Sequence, residues 1–412
     1  MRTKNKFRDV VIVAVISLAL LVAGEFLLRT IHPEDVLPSS SYDRTVYQFD
    51  SEILVALKPN MDSSFKRSKE NGGDVIQWTT NSLGFRGGEL RPNPDVRVVV
   101  YGDSSIQASF SALQDTHTYR LDKELRALTE RDIEVINGGV VGMGPDQSLL
   151  RLKREVYELE PDVVVFHVFA DNDFGDLIRN RLFDLDPAGN LVLTEHERTV
   201  DGNLIRAYDR SFLSTLLSVR AAGRLWNAVW PGDGEQGVGR IDTGEKMLEY
   251  LLEENTRQYA VYEASGPGQY SHFADLYDAD VAVHPRSESA AAKIQLMDAV
   301  LREASETARS AGAMLFVVIQ PSQIDLTKNS MLNYEVLGKY PDYRPDNLSR
   351  VVENILARRR IDAISLFHAF SAQSAENLYF KGADGHWNDA GQSLAAKLTA
   401  ERLAPLLAQP PP

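Results

Sequence analysis

The chain has 412 residues, a formal charge of −14, 43% hydrophobic and 25% charged residues, and no cysteine. That length holds one large elaborated domain or two smaller ones, and the composition is globular, neither disordered nor fibrous. The negative balance argues against nucleic acid as a partner, and the missing cysteine excludes disulfides, thiolate metal sites and a cysteine nucleophile.

Arg2, Lys4, Lys6 and Arg8 precede an uncharged apolar run from Val10 to Gly24, which resumes after Glu25 as Phe26-Leu27-Leu28 and stops at Arg29. At about 19 residues it approaches the roughly 20 that cross a bilayer as a helix. This pattern predicts a cytoplasmic tail at 1–9, a single transmembrane anchor in the lipid bilayer at 10–28, and a membrane-proximal segment at 29–95. Basic residues ahead of the run keep the N-terminus cytoplasmic and leave the rest periplasmic or extracellular. Val22-Ala23-Gly24 is also a passable cleavage site, so a removed signal peptide is the competing reading; both export the domain.

From Val96 short β-branched runs alternate with helical patterns, as in a parallel α/β sheet. The predicted strands are Val96 to Tyr101, Ile133 to Ile136, Val163 to Phe169, Met314 to Ile319 and Ile361 to Leu366. Helices are predicted over Ser287 to Ser310, stopped by Gly312, and after an Asn388 or Asp389 cap. The domain is thus expected to span 96–406, with a cap or lid inserted at 177–285 and a frayed tail at 407–412. Within the insert, Pro187-Ala188-Gly189-Asn190 reads as a hairpin turn leading into Leu191-Val192-Leu193. Gly232 to Gly237 matches a dinucleotide-binding spacing but follows Trp230-Pro231 and reads as a surface loop, so no cofactor or metal is expected.

Each of the first three strands ends in residues suited to chemistry, at the edge where open α/β sheets bind ligands. The first runs into Gly102-Asp103-Ser104-Ser105, where glycine permits a sharp exit that presents Ser104 at a helix head. The second runs into Asn137-Gly138-Gly139-Val140-Val141-Gly142-Met143-Gly144, whose N–H groups can approach a substrate oxygen closely. The third ends in Ala170-Asp171-Asn172-Asp173, offering the Asn172 amide. Together they supply oxyanion-hole donors, each commonly worth about 3 to 4 kcal/mol of transition-state stabilisation. Near the C-terminus, Asp384-Gly385-His386 can fold so that the acid holds the imidazole in the tautomer that accepts a serine proton. No other histidine has such a neighbour, and His117 and His167 read as structural or solvated.

Gly102-Asp103-Ser104, Gly142, Asn172 and His386, in that order, resemble the four blocks of the SGNH hydrolases, the GDSL-like esterase superfamily. The resemblance covers roughly 97–176 and 313–406, and Asn81-Ser82-Leu83-Gly84-Phe85-Arg86 also resembles a segment ahead of the first block in many bacterial members. It implies a three-layer α/β/α sandwich with a five-stranded parallel sheet of flavodoxin-like order. It implies Ser104 as nucleophile, the Ser104 N–H, Gly142 N–H and Asn172 amide as oxyanion hole, His386 as general base then acid, and Asp384 as its orienting partner. Ala170 stands where the third block has glycine, and Asp384 is spaced from His386 by two instead of three, as in the exported polysaccharide O-acetyltransferase branch.

The expected activity is a serine esterase acting through an acyl-enzyme on small O-acyl esters, such as acetyl on an envelope glycan. An O-acyltransferase modifying an exported polysaccharide and a non-catalytic binding module of the same fold are the alternatives.

Overall fold

The computed structural model describes residues 12–13, 15–17, 19–20, 22–27, 30, 46–194, 241, 243–264, 276–381 and 385–408. Two antiparallel hairpins come first, β1 (Tyr47–Asp50) with β2 (Leu54–Leu57) and β3 (Asp62–Lys66) with β4 (Val75–Thr79). Then follow β5 (Val96–Gly102), α1 (Ser104–Gln107), α2 (His117–Thr129), β6 (Ile133–Gly139), α3 (Pro145–Leu159), β7 (Val163–Ala170) and α4 (Asp173–Asn180). The described part of the expected insertion adds β8 (Phe183–Leu185), β9 (Leu191–Leu193), α5 (Gly244–Glu263) and α6 (Ala279–Val283). The chain continues with α7 (Glu288–Ser310), β10 (Met314–Pro321), α8 (Tyr334–Leu337), α9 (Asn347–Arg359), β11 (Asp362–Ser365), α10 (Phe367–Ser371) and α11 (Asp389–Leu407).

Five parallel strands lie in the order β11-β10-β7-β5-β6. Counted from β5 along the chain this is the flavodoxin-like order, and it reverses between β5 and β7, the position beyond whose carboxyl ends open α/β sheets bind ligands. Alternation along the strands separates two cores. Val99, Tyr101, Val164 and Phe166 pack on Leu152 of α3, Met297 of α7 and Val352 of α9, whereas Val98, Val100, Val165 and Phe316 pack on Leu121 and Leu125 of α2 and Leu403 of α11. Burying each such side chain contributes about 1.5–3 kcal/mol before conformational entropy is counted.

Local signals agree with the sequence at several ends. Ser287 accepts from Ala290 N at 3.2 Å to start α7, and Gly312 leaves it with φ +81°. Asn388 accepts from Ala390 N and Gly391 N at 2.9 and 3.1 Å to start α11. The hairpin between β8 and β9 closes on Asp186, whose carboxylate accepts from Ala188 N and Asn190 N at 2.9 and 2.8 Å, with Gly189 at φ +78°.

Regular structure does not wait for Val96. The two early hairpins carry Tyr47, Val55, Phe65 and Trp78 into a third core closed by Val140, Val141 and Met143. Strands of four or five residues such as Asp62-Ser63-Ser64-Phe65-Lys66 bury too few side chains to announce themselves as apolar runs. The described parts of the 177–285 insertion send Leu182, Phe183, Leu248 and Leu251 into the first core. Residues 232–237 lie outside the described residues.

The predicted spanning helix is not shown. Among the described residues no helix is long and apolar enough to cross a membrane, and the run at 10–28 is interrupted by positions outside that set. Its described residues from 12 to 27 are helical, with Val13, Leu20, Val22 and Phe26 exposed.

Candidate active site

β5 ends at Gly102 because nothing larger fits. A Cβ there would meet His167 Cβ and Ile106 Cγ1, each at 2.8 Å. Asp103 caps the turn that follows, its Oδ1 accepting from Ser105 N at 2.8 Å. Ser104 is therefore the first residue of α1, half-buried beyond the carboxyl end of β5, and its own N–H has no hydrogen-bond partner among the described residues.

The glycine-rich turn after β6 is shaped by its contact with α1. A Cβ on Gly139 would lie 2.2 Å from Gln107 N, so only glycine lets the strand end rest against α1. Gln107 then fixes the turn, its Oε1 accepting from Val141 N at 2.7 Å. Val140 N, Met143 N and Gly144 N donate to Gly102 O, Val140 O and Gln147 Oε1 at 3.0, 3.1 and 2.9 Å. Gly142, at φ +69°, is the residue of this turn whose N–H finds no partner among the described residues, as an oxyanion donor requires.

Asn172 caps α4 and is 5% exposed. Its carbonyl accepts from Asp176 N and Arg179 Nη2, both at 3.0 Å, which pins its backbone. The Ala170 methyl that replaces the expected glycine is fully buried in the first core, on the face away from Trp387.

His386 follows Gly385, which turns with φ +63°. Two rungs hold the loop: Phe380 N donates to His386 O at 3.0 Å, and Asn388 N to Leu378 O at 2.9 Å. Between them Trp387 is buried against His167, with ring centroids 5.2 Å apart and nearly perpendicular. This places His386 Nε2 2.7 Å from Ser104 Oγ, within hydrogen-bond reach across 282 residues of sequence. Asp384 lies outside the described residues.

Sequence reading did not find several neighbours. Phe110 meets His386 edge-on with centroids 5.8 Å apart. Arg67, from the β3–β4 hairpin, donates through Nε to Phe110 O at 2.5 Å. Arg86, the last residue of the segment noted before the first block, is buried over Trp78 and donates to the carbonyls of Gln107, Ala108 and Ser111. It clamps the loop that leaves α1; the motif was visible in sequence, this contact was not. Burial drops the Arg86 pKa to about 9, the cost of placing a guanidinium there.

Beneath Ser104, burial holds His167 well below the usual histidine range and raises Asp173 well above the carboxylate range, the Asp103 and Asp176 charges adding to the latter. His167 Nδ1 sits 3.9 Å from Asp103 Oδ1. His386 is the imidazole within hydrogen-bond reach of Ser104 Oγ.

A serine on the turn after the first strand, a histidine in reach of it and the turns at the next two strand ends together form an SGNH hydrolase-like arrangement. Residues 276–411, which include His386, match the family model described as "SGNH hydrolase-like domain, acetyltransferase AlgX". Solved structures with likeness include an acetylxylan esterase from Geobacillus stearothermophilus in a catalytic mutant form, 13% identical, covering 76% of this chain and 96% of that one with TM-score 0.37. The psychrotrophic esterase EstA from Pseudoalteromonas sp. is 12% identical over 76% of this chain and 100% of its own, TM-score 0.33. A lipase/acylhydrolase from Enterococcus faecalis is 12% identical over 76% and 96%, TM-score 0.36. At these scores the likeness carries no functional inference. No curated protein sequence matches the chain.

Proposed function

We propose that this chain forms an acyl-enzyme at Ser104 from a small O-acyl ester, acetyl foremost, and releases the acyl group to water as a serine esterase. The observation that carries this is the 2.7 Å contact between His386 Nε2 and Ser104 Oγ. His386 takes the hydroxyl proton as Ser104 attacks the carbonyl, the oxyanion forms against the N–H groups of Ser104 and Gly142 and the Asn172 amide, and the proton passes to the leaving alcohol. Water then repeats the steps on the acyl-enzyme. Asp384 orients the His386 imidazole in this proposal.

A second reading has a specific observation behind it. The match over 276–411 is to a family described as an acetyltransferase, which supports a carbohydrate hydroxyl in place of water as the acceptor. The two share the first half-reaction and differ in what deacylates Ser104. Incubation of the protein with p-nitrophenyl acetate, with and without an acceptor polysaccharide, separates them by mass spectrometry: free acetate alone supports hydrolysis, acetylated glycan supports transfer. Undiminished acetate release or transfer by a folded Ser104→Ala variant would sink both.

We also propose that the domain is exported and held at the bilayer by the apolar run at 10–28, with the N-terminus in the cytoplasm. The helical described residues between 12 and 27 and the exposure of their apolar side chains support this. Fractionation tests it: release of the full-length chain from membranes by carbonate, without detergent, would count against an anchor.

A further inference from the structure

We propose that Asp278, held in place by Lys293, is a positioning residue for the oxyanion hole, so that the segment inserted after α4 sets the catalytic rate of the site. The inference rests on the Ser104–His386 reading and deepens it.

Asp278 brackets the turn that carries Asn172. Its N–H donates to the carbonyl of Asp171 at 2.7 Å, immediately before Asn172, and its Oδ2 accepts from Gly175 N at 3.0 Å, three residues after. Gly175 has no room for a side chain under this bracket, because a Cβ would lie 2.9 Å from Asp278 Oδ1 and 2.4 Å from Arg179 Nη1. One residue thus fixes the chain on both sides of the oxyanion donor.

Asp278 is itself fully buried and cannot rely on water. Lys293 of α7, also fully buried, donates its three ammonium protons to Asp278 Oδ1, Asp280 Oδ1 and Asn255 Oδ1, each at 2.8 Å. The hydroxyl of Ser289 donates to the other oxygen of Asp280. A buried ion network of this kind is a poor source of net stability, since desolvation consumes most of the attraction, but it holds geometry when every member is satisfied. Here the geometry being held is that of a donor whose displacement by about 1 Å can cost on the order of a hundredfold in rate. Asn255 and Asp278 both come from the insertion, and the described residues of that insertion therefore serve the site from behind.

Active sites counted by fluorophosphonate titration allow the rate per folded site to be measured with p-nitrophenyl acetate. Asp278→Ala is expected to lower kcat about 10- to 100-fold while KM stays within about twofold, because the Asn172 amide is felt chiefly in the transition state. Asp278→Asn, whose amide oxygen can still accept from Gly175 N while its NH2 faces the Lys293 ammonium, is expected to lose less kcat than Asp278→Ala. If Asp278→Ala does not fold, Gly175→Ala strains the same bracket and is expected to show the same kcat-selective loss. A folded Asp278→Ala with unchanged kcat per titrated site, or a loss confined to KM, overturns the proposal. The acyl-enzyme reading fails separately, and earlier, if turnover survives in Ser104→Ala.

Discussion

Arg67 and Asp389 are joined by a two-pronged ion pair across 322 residues, the Arg67 Nη2 lying 2.8 Å from each Asp389 carboxylate oxygen. The Ser111 hydroxyl donates to Asp389 Oδ1 at 2.7 Å, and the guanidinium lies 5.3 Å from the Phe380 ring centroid. An early hairpin is thereby tied to the head of the last helix, beside His386. The pair is partly sheltered, the side chains being 10% and 35% exposed.

Arg67→Met is therefore expected to cost about 1–3 kcal/mol of stability, less than a fully buried pair would, since Asp389 keeps access to water. Because Arg67 also holds the Phe110 carbonyl, turnover should fall as well. Urea unfolding of Arg67→Met, Asp389→Asn and the double variant checks this: the pair accounts for the loss if the double variant is less destabilised than the two single losses added together.

In the proposed mechanism Asn172→Ala removes one oxyanion donor and leaves the Ser104–His386 contact in place. The expected outcome is a drop in kcat of about 10²–10³-fold with KM little changed. Steady-state kinetics on a small acetyl ester decides it; a rise in KM with kcat preserved would assign Asn172 to substrate binding instead.

Burial raises the Asp325 carboxyl to about 8 although the hydroxyls of Tyr343 and Tyr277, at 2.7 and 2.8 Å, work to lower it. Between its ordinary value of 3.8 and that raised one the folded protein keeps a proton that the unfolded chain has released. Its contribution to stability is full below the unfolded value and declines as pH rises, by about 1.4 kcal/mol per pH unit, until the folded pKa is passed. Asp146, raised to about 7 by burial, acts in the same direction. Asp325→Asn keeps an oxygen that accepts from both tyrosines and removes the titration. It is expected to gain stability relative to the unsubstituted protein as pH rises from about 5 to about 8, which denaturant unfolding at several pH values would reveal; parallel curves would contradict it.

The sheet was legible because β-branched runs buried on both faces, such as Val163-Val164-Val165-Phe166, have no other stable placement. Ser104, Gly142, Asn172 and His386 were legible because each stands at a strand end or before the last helix, where local glycine and cap chemistry mark the turn. Arg67, Phe110, Arg86 and Asp278 were not read as parts of the site. Their roles come from contacts between segments distant in sequence, such as Arg67 with Asp389 or Asp278 with Asp171, and no periodicity or spacing encodes such pairs. His167 was read as structural or solvated, and its burial against Trp387 makes it the former.

The pairing of Ser104 with His386 is tested most directly by covalent labelling with a fluorophosphonate followed by peptide mapping. The phosphonyl group is expected on Ser104, absent in Ser104→Ala and slowed by orders of magnitude in a folded His386→Ala, because the hydroxyl then lacks the base 2.7 Å away. Labelling at an undiminished rate in His386→Ala, or label that persists elsewhere on the chain in Ser104→Ala, would contradict the assignment.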